Sequence, residues 1–164
     1  MTHQILVLLH LIGAIFFVGA IALEVLCLDS MRKHLGEEMF QKVEFLLFRR
    51  IKRVYPLFVL PMYAIGFHFY FQYAPDSWEL YTQWLGTHFG SMLTLKAILA
   101  IVLLGVFLTS PFTFMRPQPN KLKHFFVITG DAKDMKTEHF RFIHYGVFTL
   151  GLIIVILAKM MFVG

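Results

Sequence analysis

Four runs of apolar residues, 5–28, 54–73, 91–112 and 143–163, take up most of this 164-residue chain. Each has the roughly 20 residues that an α-helix needs to cross a hydrocarbon core, so the sequence predicts an all-α membrane protein, a single domain of four spans. Composition agrees: 58% of residues are hydrophobic and 15% charged, against about 25% charged in a soluble domain. No internal repeat, low-complexity tract or separate soluble domain stands out. The one cysteine, Cys27, excludes a disulfide framework and any CxxC metal motif. The first run ends in Glu24, Cys27 and Asp29 rather than at a small-residue cleavage site, so it is expected to stay in the mature protein.

Charge sets the expected orientation. The segment 29–53 carries Arg32, Lys33, Lys42, Arg49, Arg50, Lys52 and Arg53, and the segment 113–142 carries Arg116, Lys121, Lys123, Lys133, Lys136 and Arg141. Between spans two and three, PDSWELYTQWLGTHFG has no Lys or Arg. The positive-inside rule then places both basic segments in the cytoplasm and both termini outside. The expectation is an up-down-up-down four-helix bundle, multi-pass in a bacterial inner membrane, with Tyr73, Trp78, Tyr81 and Trp84 as an outer interfacial belt. The net charge of +5 is accounted for by this topology and by contact with anionic lipid, which argues against a nucleic-acid partner. GEEMFQKVEFLLFRRIKR, 36–53, fits either an amphipathic surface helix or an extension of span two.

Ionisable groups at membrane depth are costly, and each is a candidate for function. His10 lies about five residues inside span one, roughly 8 Å of helix, and His68 lies at a similar depth in span two. Lys96 stands a turn or more inside span three, and Lys159 near the outer end of span four, within snorkelling reach of the surface. His88, Met92 and Lys96 fall at i, i+4 and i+8, one stripe of one helix. Gly13, three residues from His10, either admits a flat macrocycle to the backbone or serves close helix packing. Glu24, Arg141 and His144 form a second polar set toward the inner side, while His3, His34, His124 and His139 are expected to be solvated.

Two imidazoles facing each other across a bundle can hold a haem iron from both axial sides, and the pairs available are His10 with His68 or His10 with His88. Lys96 would meet a haem propionate, or act as a neutral amine ligand or proton carrier when desolvated. A different reading uses His10, His68, His88 and Met92 as an outer-side entry for copper, since Met suits Cu(I). A third makes the chain a non-catalytic subunit of a respiratory complex. The apolar surface of such a bundle also suits a homo-oligomer.

The runs LLHLIGAIFFVGAIALEVL, FRRIKRVYPLFVLPMYAIGF, MLTLKAILAIVLLG and FRFIHYGVFTLGLIIVILAKMMF resemble, in order and spacing, the HemJ-type protoporphyrinogen oxidases and their CopD-like relatives. The resemblance implies that His10 and Lys96 are the functional pair, that haem b is bound, and that protoporphyrinogen IX is oxidised to protoporphyrin IX with electrons passed to quinone. The chain departs from the family pattern at Phe16 and Phe17, where a Trp is usual. It departs also at Glu24 and Val25 in place of an Arg, at Thr94 in place of a His, and at His144 and Tyr145 in place of an Asn-Glu pair.

Overall fold

The computed structural model describes residues 2–115 and 130–163. The basic stretch 116–129, with Arg116, Lys121, Lys123 and His124, lies outside the described residues, as do the side chains of His139 and Arg141. Helix α1 (Thr2–Leu23) passes through a π-helical turn (Glu24–Leu28) into α2 (Asp29–Leu35). Gly36, at φ +72°, breaks the helix and opens α3 (Glu37–Tyr73). A short α4 (Trp78–Leu85) precedes α5 (His88–Phe114), and a single 3-10 turn (Ala132–Asp134) leads into α6 (Thr137–Met160). Among the described residues, four helices are long and apolar enough to cross a membrane.

The expected span limits shift. The segment 36–53 is no separate surface helix: α3 runs unbroken through it and on past Pro56 and Pro61. Its buried positions Phe40, Glu44, Phe48, Lys52, Val59 and Tyr63 recur at four- and seven-residue intervals along its length, so one stripe faces the interior from end to end. Span four ends earlier than its hydropathy suggests, with Met161 closing the helix.

The interior is built from α1, α3 and α5. Phe17, Ile21 and Val25 pack against Val59, Met62 and Tyr63, with Leu103 completing the cluster. A second cluster at the other end joins Phe45, Phe48, Phe114, Met115 and Met135. The approach of α1 to α3 depends on Gly13, because a Cβ there would lie 2.7 Å from Met62 Cβ and 3.1 Å from the Phe58 carbonyl oxygen. The first turn of α1 meets the last turns of α3, with the His3 and Phe69 rings 5.2 Å apart. Phe89 at the start of α5 touches both Tyr73 and Phe162. Large apolar side chains such as Leu57, Phe71 and Leu26 point outward, 71%, 72% and 64% exposed; apolar surface spread this widely over a chain suits lipid rather than water.

Candidate functional site

The ends of α1, α3, α5 and α6 that carry His3, Tyr73, Phe89 and Phe162 enclose a cavity of about 420 Å³. That is within the range of roughly 300–1,000 Å³ typical of cofactor and small-molecule sites. Its walls are almost wholly apolar, and its nitrogen-bearing side chains are His3, His10 and Lys96.

His10 is held in place by its neighbours on α3. Its Nδ1 lies 2.8 Å from the Met62 carbonyl oxygen. A carbonyl can only accept, so Nδ1 carries the proton and donates it, and Nε2 is the ring nitrogen with a free lone pair. Gly66 makes the space: a Cβ there would stand 3.0 Å from His10 Cε1. One carbonyl thus fixes tautomer and one glycine fixes position, as a ligand imidazole requires.

Lys96 reaches the same cavity from α5, half-buried, and among the described residues its ammonium has no hydrogen-bond or ion-pair partner. A cation in apolar surroundings without a counter-charge is costly, so this position favours an anionic group in the cavity. Tyr63, whose hydroxyl donates to the Ala100 carbonyl at 2.9 Å, ties the α3 wall to the α5 wall. Tyr70 adds to this tie, 2.8 Å from the Tyr81 hydroxyl and 3.3 Å from Thr94 Oγ1.

The other expected residues fall elsewhere. His68 is exposed on the outside of α3, with its ring against Phe69. His88 is exposed too, and its Nε2 lies 3.0 Å from the Met160 carbonyl oxygen, capping the end of α6. Neither lines the cavity, so His10 shares it with neither of the two imidazoles expected to face it. Gly13 serves the packing of α1 on α3 and is not in the cavity wall, and Met92 is likewise outside it. Lys159 is exposed near the end of α6, as snorkelling requires. His3 is exposed, as expected, and it also lines the cavity. It stands seven residues before His10, two helical turns away on the same face.

A second, smaller void of about 60 Å³ lies deeper, beyond Phe17 and Leu103, which line both. Here Glu24 pairs with His144, Oε2 to Nε2 at 3.0 Å. Arg141, expected beside them, has its side chain outside the described residues. Lys52 had been counted among the basic loop residues but is buried, 6% exposed, and donates from Nζ to the Phe107 carbonyl at 2.6 Å. That carbonyl is free because the residue four further on is Pro111, which has no N–H to donate. Ser110 Oγ takes its other lone pair, also at 2.6 Å.

Among the described residues no group of three His, Cys, Asp or Glu side chains is placed to hold a metal ion. No family model, curated protein or solved structure matches the chain. Fold and site therefore define the class: an α-helical protein with four candidate membrane spans among the described residues and an apolar cavity lined by two imidazoles, His3 and His10, and one ammonium, Lys96.

Proposed function

We propose that this chain is a haem b-binding redox protein of the bacterial inner membrane, an up-down-up-down bundle with both termini outside, whose larger cavity holds the porphyrin. The observation that carries the reading is the His10 ring, pinned through Nδ1 to the Met62 carbonyl at 2.8 Å, in the same apolar cavity as Lys96, which has no partner among the described residues. The donor set suits a metalloporphyrin better than a bare ion. The macrocycle brings its own equatorial nitrogens, so a single imidazole suffices from the protein, apolar walls match the ring, and an ammonium matches a propionate.

His10 would hold the iron through Nε2, and Lys96 would pair with a propionate and set the ring's orientation. Bound there, haem supplies one-electron chemistry, while the protein contributes orientation and a dry site. Tyr63 and Tyr70 keep the α3 and α5 walls in register, and Phe17 and Leu103 close the floor against water from below. The finer form of the reading follows the HemJ resemblance: protoporphyrinogen IX as the reductant and membrane quinone as the acceptor. Copper transport needs His68, His88 and Met92 beside His10, and the fold puts all three outside the cavity wall.

The test is the visible spectrum of protein purified from membranes in mild detergent, oxidised and dithionite-reduced, with a pyridine haemochrome assay. A b-type spectrum is expected in the wild type and in His68→Ala and is expected to vanish in His10→Ala. Colourless wild-type protein, after growth with ample haem precursor, would overturn the reading. With haem established, added protoporphyrinogen should yield porphyrin fluorescence faster in membranes holding the wild type than in those holding Lys96→Met.

A further inference from the structure

The smaller void contains buried polar atoms that the packing leaves unsatisfied. Glu24 is 6% exposed, and while its Oε2 meets His144, its Oε1 is buried with no partner among the described residues. The Tyr55 hydroxyl is in the same condition, and both residues line the void. A polar cavity holds a water once it offers about 10–15 Å³ and two to four polar partners. This one has about 60 Å³, with Ser110 and Lys52 in its wall as well. Burying such atoms dry would cost on the order of 1–3 kcal/mol each, so water belongs there. Glu24 opens the π-helical turn of the α1–α2 segment, and such turns are frequent at functional sites.

A second carboxylate extends the cluster toward the aqueous end. Glu44 is 3% exposed, and among the described residues its Oε2 has no partner. Its charged neighbours are Arg32 and Glu37, an exposed ion pair at 2.6 Å, on one side, and His144 and Glu24 on the other. Among the described residues, the groups near His144 include Glu24 from the π-helical turn and Glu44, Lys52 and Tyr55 from α3, with the Phe114 ring of α5 stacked on the imidazole at 5.3 Å. An imidazole bonded to a carboxylate keeps that bond in either state: the neutral ring donates its Nε2–H, and so does the imidazolium.

We propose that Glu44, the Glu24–His144 pair and water held by Tyr55 form a proton-exchange site, filled from the aqueous side at the basic end and sharing Phe17 and Leu103 as wall residues with the larger cavity. A proton from water ends as an N–H of His144, giving an imidazolium beside the Glu24 carboxylate, and its release reverses this with no change of electrons. The site is independent of what occupies the larger cavity; where that occupant is a redox group, the two share these wall residues.

The measurement is ¹⁵N NMR of histidine-labelled protein in micelles from about pH 5 to about pH 9, the window in which imidazole normally titrates, with His144 assigned by His144→Gln. The expected result is a titration of His144 within that window, with proton affinity at least tenfold lower in Glu24→Gln, because a neutral amide no longer stabilises the imidazolium. Tyr55→Phe, which removes only a hydroxyl, should leave the histidine spectrum folded and slow the exchange of the His144 N–H with D₂O. A His144 signal fixed in one protonation state across the window would overturn the proposal. So would a midpoint that is the same in wild type and Glu24→Gln.

Discussion

At the scale of single residues, two small contacts decide whether His10 can act as a ligand: the Met62 carbonyl that takes its Nδ1 proton and the empty space over Gly66. Gly66→Ala places a methyl 3.0 Å from Cε1, and overpacking of this kind costs about 1–3 kcal/mol. Haem titrated into the purified variant should bind about tenfold more weakly than to wild type, while Gly105→Ala, with nothing within 4 Å of the new Cβ, should bind like wild type. His10 and Lys96 were legible in the sequence because each interrupts an apolar run. His68 looked equivalent to His10 because depth along a helix can be read from position, whereas the facing direction depends on how each helix is rotated against its neighbours. His3 was missed although its seven-residue spacing from His10 was visible. Lys52 counts among the basic residues of the segment 29–53, yet it falls on the Phe40–Phe48–Val59 stripe of α3, as does Glu44.

At the scale of elements, α1 and α3 form a close pair whose separation is set by one glycine. Gly13→Ala brings a methyl to 2.7 Å from Met62 Cβ and is expected to destabilise the fold by about 1–3 kcal/mol. Gly19→Ala, where a Cβ meets nothing within 4 Å, should stabilise it by about 0.5–1 kcal/mol through helix propensity alone. Thermal unfolding in detergent separates the two, and equal effects would deny Gly13 its packing role. Sequence showed the glycine and allowed both of its uses; only the packed pair shows that its open side faces Met62. The α3–α5 contact had a subtler signal. Pro111 frees the Phe107 carbonyl, and the buried Lys52 and Ser110 occupy it, a link that joins residues 55 apart in sequence and has no local pattern.

At the scale of the whole molecule, four candidate spans and an outward apolar surface were readable from hydropathy because every long run of apolar residues became helix. The ends were less so: α3 continues for a further 17 residues before position 54, from Glu37, since its amphipathic stripe carries on where its mean hydropathy has fallen. The orientation proposed from charge has a direct check. In a Cys27→Ser background, a membrane-impermeant maleimide added to intact cells or spheroplasts should label Glu79→Cys in α4 and leave Lys133→Cys unlabelled until the membrane is opened; both native side chains are exposed. The reverse pattern would invert the assignment of sides.

The claim on which the account rests is that His10 serves as the axial ligand of a haem in the larger cavity. A loss of spectrum in a His10 variant can follow from a collapsed cavity as well as from a lost ligand, and chemical rescue distinguishes these. His10→Gly leaves a hole the size of the ring it removes, and imidazole added in solution can refill it. The predicted result is a b-type spectrum absent in His10→Gly and restored by imidazole in proportion to its concentration, with His68→Gly coloured throughout. A His10→Gly protein that keeps the wild-type spectrum without imidazole would contradict the account.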